Sequence, residues 1–173
     1  MSYKSELTDA MTELARDRDV RFLGYGVTKG KAMGTLANVP ESQLIEMPVA
    51  EALMTSAAIG LSLAGLKPVV FFERADFMLV AADAIVNHLN AMKNLSAYEF
   101  NPTVILRVVV GNKTKPLFTG PVHTQNFANA FRQMVQFPVY ELENADYIAP
   151  TYKQAHRSFG QHSTMIFEFK DLL

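Results

Sequence analysis

Two apolar runs constrain the fold more than anything else in the sequence. Residues 68–72 read Pro-Val-Val-Phe-Phe, and residues 103–110 form a longer run rich in valine. A strand that is apolar on both sides is buried on both faces, as in parallel sheets. Parallel neighbours need long crossover connections, usually helical. The rest of the chain supplies them. Strands are predicted at residues 20–23, 43–47, 68–72, 103–110, 139–142 and 165–169, with helical segments between. Strands alternating with helices give the α/β class, an open and mostly parallel sheet of six strands.

The helical segments follow from spacing and end signals. Ser5 is placed as the cap of a first helix to about residue 16, with Leu7, Met11, Leu14 and Ala15 on one face. A small-residue helix runs from Ala50 to Ala64 and is closed by Gly65. Asp76 is placed as the cap of a helix on which Phe77, Val80, Ala81, Ala84, Ile85, Leu89 and Met92 recur at helical spacing. Phe127, Ala130, Phe131 and Met134 share a face of the next helix. Asn144 caps the last one, to about residue 159, which Pro150 kinks or delays.

Bulk properties narrow the class of function. With 173 residues, 49% hydrophobic and 19% charged, the chain fits one globular domain over residues 1–173. Its net charge is −1 with no basic block, so no nucleic-acid or acidic-membrane partner is expected. The absence of cysteine excludes disulfide and thiolate chemistry. The N-terminus is polar, without a signal-peptide core, and the cytoplasm is the expected location. Nine methionines and twelve phenylalanines suggest apolar surface that a partner subunit covers.

One stretch points to chemistry: Ile45-Glu46-Met47-Pro48-Val49-Ala50-Glu51-Ala52. It reads as a strand end, a tight corner and a helix start, with Pro48 suited to a first helical turn. Glu51 then stands at the carboxyl edge of the sheet, where open α/β sheets place ligands. Position alone has a simpler account, because the helix dipole favours an acid there by under about 1 kcal/mol. Residues 24–34 hold four glycines with Lys29 and Lys31. Such a stretch can cradle phosphate, but its spacing fits no dinucleotide or Walker pattern, and a mobile surface loop is the expected reading. A second loop covers residues 112–121 and is closed by His123-Thr124-Gln125.

The ordered set of segments resembles the pyrimidine-binding domain of thiamine diphosphate enzymes, most of all the beta chain of the 2-oxoacid dehydrogenase decarboxylase component. The segments are Phe22-Leu23-Gly24, Glu46-Met47-Pro48-Val49-Ala50-Glu51, Gly65-Leu66-Lys67-Pro68-Val69-Val70, Ala75-Asp76-Phe77-Met78, Ala82-Asp83-Ala84-Ile85-Val86-Asn87, His123-Thr124-Gln125 and Ile166-Phe167-Glu168. The resemblance implies a three-layer thiamine diphosphate-binding fold with helices on both faces. It implies that Glu51 holds the aminopyrimidine ring nitrogen, Phe77 stacks on the ring, Val49 lines the pocket and His123 faces the reacting carbon. Glu51 and His123 are then the catalytic candidates, and Val49, Glu51 and Phe77 the cofactor-binding ones. The residue types suit these tasks. A partly buried carboxyl with a raised pKa shares a proton, an aromatic ring supplies a flat wall and a histidine moves protons near neutral pH.

The resemblance also implies what the chain lacks. No Gly-Asp-Gly motif for magnesium and diphosphate occurs in the sequence, and no histidine–carboxylate set has metal-ligand spacing. The expected cofactor is thiamine diphosphate, with its magnesium held mainly by an alpha-type, diphosphate-binding partner chain. The domain is expected to stand without the diphosphate-binding and C-terminal transketolase-like domains, and to assemble as a homo- or hetero-oligomer. Tyr25-Gly26 replaces an acidic pair and Ala84 replaces a glutamine of the family pattern. Phe77 as core, His123 as a helix cap and Asp83 as a packing residue stay open on the residues alone. His88, His156 and His162 read as surface or packing residues. The alternatives to a dehydrogenase beta chain are a transketolase or split decarboxylase subunit, a non-catalytic paralogue with an assembly role, and a small-ligand module without thiamine.

Overall fold

A computed structural model describes residues 2–116 and 122–173; residues 117–121 of the expected second loop lie outside the described residues. Six strands form one sheet in the order β2-β1-β3-β4-β6-β5. They are β1 (Val20–Gly24), β2 (Leu44–Glu46), β3 (Lys67–Phe72), β4 (Ile105–Val110), β5 (Val139–Leu142) and β6 (Thr164–Phe169). Every pairing is parallel, so the α/β expectation holds and the sheet is wholly rather than mostly parallel. The central β4 is buried at all its positions.

Helices cover both faces. On one face lie α1 (Tyr3–Leu14) and α5 (Ile148–Arg157), packing Leu7, Met11, Leu14, Ile148 and Tyr152 against Phe22, Phe71, Ile105 and Val109. On the other lie α2 (Glu51–Leu63) and α4 (Ala128–Met134), with Met54, Ala58, Ile59 and Phe131 against Leu23, Val70, Phe72, Leu106 and Val108. Alternation along each strand divides the two cores, since successive side chains point to opposite faces. Among the described residues no helix is long and apolar enough to cross a membrane.

Several boundaries differ from the sequence reading, each for a local reason. α1 starts earlier, because Ser2 rather than Ser5 is its cap and accepts the Ser5 amide at 3.2 Å. Pro48 precedes α2, whose cap is Ala50 and whose first residue is Glu51. Asp76 caps nothing. The helix expected after it is broken into a 3-10 turn (Ala75–Leu79), a π-helix (Ala84–Asn90) and the single turn α3 (Met92–Leu95). Val80 therefore faces solvent. In α4 only Ala128 and Phe131 are buried, and Ala130 is exposed. Asn144 caps a 3-10 turn (Ala145–Tyr147), and α5 starts only at Ile148, the delayed start expected of Pro150, which falls in the first turn where no intrahelical N–H is needed.

The glycine-rich segment after β1 packs as structure rather than as a loose loop. Val27, Ala32 and Leu36 are buried in the core. Lys31, Ala32, Met33 and Gly34 form a left-handed turn with φ of 48°, 46°, 60° and 86°. Such backbone costs about 1–2 kcal/mol per non-glycine residue. Glu46, at the end of β2, holds the start of this segment. Its carboxylate accepts the Gly26 amide at 2.5 Å, the Thr28 amide at 2.7 Å and the Thr28 hydroxyl at 2.6 Å. Burial alone would raise the Glu46 carboxyl, but these donors outweigh it and hold it below the usual carboxylate range. The amides a phosphate would need are already engaged by a side chain of the same molecule.

At the opposite, amino-terminal edge, Asp17 ties three elements together. It accepts Lys67 Nζ of β3 at 2.6 Å, His156 Nε2 of α5 at 2.8 Å and the Asp19 amide at 3.0 Å. Burial raises the carboxyl, while Lys67, the Asp19 amide and His156 pull it down further, from 3.8 to about 2. A carboxylate with a depressed folded-state pKa stabilises above its unfolded value, and that contribution is lost as pH falls through the folded value. Asp17→Asn is therefore expected to destabilise the fold by about 1–2 kcal/mol at pH 7, after allowance for partial exposure. The deficit relative to wild type should shrink below pH 4 and vanish near pH 2. Urea unfolding at several pH values measures this.

Candidate functional site

The carboxyl ends of β1 and β3 and the start of α2 frame a cavity of about 250 Å3 lined by Tyr25, Val49, Glu51, Met54, Phe71, Phe72, Glu73, Arg74, Phe77 and His123. Val49, Glu51, Phe77 and His123, singled out from separate stretches of sequence, all lie on its wall. Val49 is exposed at the rim. Glu51, Phe77 and His123 are each half-buried. The Phe77 and His123 rings meet edge to face, with centroids 5.1 Å apart and planes at 80°. Neither is the simple core residue or helix cap that spacing allowed.

Local structure explains how these side chains converge. β1 ends at Gly24, where φ is +154° and a Cβ would stand 2.4 Å from the Phe71 carbonyl oxygen, so only glycine lets β1 and β3 lie this close. The chain leaves β2, passes Pro48 and enters α2 with Glu51 as its first helical residue. An acid at that position is also favoured by the helix dipole. Phe77 comes from the 3-10 turn that follows β3.

His123 depends on a second close approach. A Cβ on Gly111 would lie 1.6 Å from the His123 carbonyl oxygen. His123 has φ +104°, a region that non-glycine residues rarely adopt. The buried Asp76 accepts the Gln125 amide at 3.4 Å through one oxygen, while its other oxygen has no hydrogen-bond partner among the described residues. Backbone strain at a cavity wall and an unsatisfied polar atom next to it in sequence are features that functional sites retain.

Sequence reasoning missed Glu73 and Arg74, which follow β3 directly at the carboxyl edge. Arg74 donates to the Glu73 carbonyl at 2.6 Å and lies 3.7 Å from the Glu73 carboxylate. The available signal was a charge pair at the end of an otherwise apolar strand. A neighbouring cavity of about 390 Å3 shares Tyr25, Phe71 and Glu73 and adds Gly26, Lys29, Gly30, Met33 and Glu46. His156 pairs with Asp17 far from this edge, and His88 lies 3.4 Å from Asp83 on the surface. Among the described residues no cluster of three or more histidine or acidic side chains could hold a metal ion.

An all-parallel sheet with an acid-bearing helix start and an aromatic wall at its carboxyl edge defines an α/β domain with a candidate ligand site at that edge. The chain belongs to the transketolase pyrimidine-binding domain family, whose model matches residues 1–100. It is 29% identical over 134 residues to the mitochondrial pyruvate dehydrogenase E1 component subunit beta of Saccharomyces cerevisiae, covering 74% of this chain and 36% of that one. It is 28% identical over 132 residues to the 2-oxoisovalerate dehydrogenase subunit beta of Pseudomonas aeruginosa, covering 70% and 35%. It thus spans about a third of the length of these curated relatives. A solved structure described as a split gene transketolase, inactive beta4 tetramer, shares the fold with a TM-score of 0.74 at 18% identity, covering 96% of this chain and 51% of that one. The resemblance seen in the sequence, to the pyrimidine domain of thiamine diphosphate enzymes with dehydrogenase beta chains as relatives, therefore holds.

The Gly111 contact gives a direct test of how the site is held. Gly111→Ala must push the His123 backbone away, and is expected to destabilise the fold by about 1–3 kcal/mol. It should also shift the ring resonances of His123 and Phe77. Thermal unfolding and aromatic NMR spectra report both effects.

Proposed function

We propose that this chain is the pyrimidine-binding subunit of a thiamine diphosphate-dependent enzyme acting on 2-oxo acids, active only with a diphosphate-binding partner chain. One observation carries the reading: Val49, Glu51, Phe77 and His123 line a single cavity at the carboxyl edge of the parallel sheet. The cavity is smaller than the roughly 300–1,000 Å3 of a typical whole-ligand pocket. Its size and apolar walls fit a flat ring rather than an entire cofactor, and its carboxyl and imidazole supply the polar groups.

In this reading Val49 and Met54 hold the edges of the ring, Phe77 gives it a flat apolar face and Glu51 binds its nitrogen. The cofactor, once bound, supplies a carbon nucleophile and an electron sink for cleavage next to a carbonyl. Glu51 has the residue type for holding a proton at the ring nitrogen, because a carboxyl can share one with a ring base. His123 stands across the cavity, fixed against Phe77, where an imidazole can give or accept a proton at the substrate oxygen. Magnesium and the diphosphate would be held by the partner chain.

Dependence on a partner is supported by the missing Gly-Asp-Gly motif and by the description of the transketolase neighbour as inactive when only its beta chains assemble. The non-catalytic assembly role is favoured by one feature, Tyr25-Gly26 in place of an acidic pair. One experiment separates the readings. The chain is mixed with a Gly-Asp-Gly-bearing chain, thiamine diphosphate and magnesium, and cofactor binding and 2-oxo acid turnover are followed. Turnover is expected only in the mixture, and Glu51→Gln should lower it by about 100-fold or more. Tight assembly without turnover would identify the assembly role. No cofactor binding in any mixture would remove thiamine from the account.

A further inference from the structure

Arg74 is the one cationic side chain that combines burial with a place on the cavity wall. It is only 6% exposed, although arginine is almost never buried without a full set of partners. Its guanidinium carries five N–H donors. Among the described residues its hydrogen-bond and ion-pair partners are limited to Glu73: the carbonyl at 2.6 Å and the carboxylate at 3.7 Å. The second distance is beyond a hydrogen bond, so Glu73 does not occupy the guanidinium fork. Among the described residues only Asp76 Oδ2 and Arg107 Nη1 are sealed off without a partner, so the remaining Arg74 nitrogens keep some exposure. Arg74 itself lines the cavity.

The surroundings favour an anion at that point. β3 and β6 flank β4, and each is followed at the carboxyl edge by a cation, Arg74 after β3 and Lys170 after β6. Burial and the nearby Arg74 charge both lower the Lys170 pKa, with Glu73 opposing them. Two cations that disfavour one another gain from a bound anion. The acidic groups on the cavity do not cancel this. The Glu73 side chain is 43% exposed, where water screens it. Glu51 comes from a different element, the start of α2.

We infer that Arg74 recognises the carboxylate of the substrate, a 2-oxo acid, in the cavity that Glu51, Phe77 and His123 line. This rests on the function proposed above and adds the residue that selects a charged acid. A guanidinium fork matches a planar carboxylate through two parallel hydrogen bonds. A cavity of about 250 Å3 with apolar walls is too small for a long phosphorylated sugar. Arg74 sets which substrate binds, while proton transfer stays with the groups across the cavity.

The test uses the full chain, isotope-labelled, with the ring signals of His123 and Phe77 as the readout. Sodium pyruvate, its uncharged methyl ester, inorganic phosphate and thiamine are titrated separately into wild type, Arg74→Gln and Arg74→Lys. Circular dichroism establishes that each variant is folded, and Arg74→Lys keeps the charge should Arg74→Gln unfold. Pyruvate is expected to move both signals. Its affinity should fall at least tenfold in Arg74→Gln and less in Arg74→Lys, and the ester should bind at least tenfold more weakly than pyruvate. Thiamine binding to each variant is read separately, as the measure of the ring site. The inference is overturned if wild type does not bind pyruvate, if neither variant weakens it, if the ester binds equally well, or if phosphate binds more tightly. Thiamine binding with pyruvate indifferent to Arg74 defeats this inference alone. Pyruvate binding through Arg74 with no response to thiamine defeats the pyrimidine reading alone.

Discussion

Arg107 and Glu168 hold the centre of the sheet, and the site is built over them. They sit diagonally on β4 and β6, where Arg107 pairs with Ile166 and Val109 with Glu168. Two hydrogen bonds join them, Nε to Oε1 at 2.7 Å and Nη2 to Oε2 at 2.9 Å, at 1% and 0% side-chain exposure. The Tyr152 hydroxyl also donates to Glu168. Tyr3 donates to the Leu142 carbonyl at 2.7 Å and accepts the Phe169 amide at 3.2 Å, which binds α1 to β5 and β6. Burial raises both tyrosines well above their ordinary range, so they stay neutral donors. Removing one partner from such a pair costs about 3–5 kcal/mol, because the other is left as an uncompensated buried charge. The pair is better understood as fixing the register of β4 against β6 than as a net source of stability.

That register carries through to function. The Arg107 guanidinium lies 5.2 Å from the centre of the Phe71 ring, and Phe71 is a wall of both cavities at the carboxyl edge. β4 runs on to Gly111, against which the His123 carbonyl is pressed. β6 runs on to Lys170. The imidazole and Lys170 thus hang from the two strands that the buried pair locks, and the Phe71 ring of β3 packs beside the Arg107 guanidinium. Every strand is parallel, so all six carboxyl ends lie on one edge, and a single edge can collect residues from distant parts of the chain.

Much of this was legible in the sequence, and what was not has physical causes. The inner strands β3 and β4 were legible because both of their faces are apolar. Glu51 and Val49 were legible because a strand-proline-helix corner fixes where a first helical turn must stand. The break between Ala75 and Leu95 was not, because apolar residues at helical spacing do not distinguish a regular helix from one with a π turn. The packed turn at residues 31–34 was hidden because lysine, alanine and methionine give no sign of left-handed backbone. Arg107 was hidden in a valine-rich strand, and its partner is 61 residues away. Arg74 reads in sequence as an ordinary surface charge, and only its burial distinguishes it.

The central claim is that Glu51 and Phe77 together bind a pyrimidine ring at the carboxyl edge. It is tested most directly by a structure of the chain with thiamine bound, or by intermolecular NOEs between the pyrimidine methyl group and the protein. The account predicts NOEs to the Phe77 ring and to Met54, with the ring nitrogen within hydrogen-bond distance of the Glu51 carboxyl. A pyrimidine bound elsewhere on the chain, or seated in this cavity with Glu51 turned away to solvent, would contradict it.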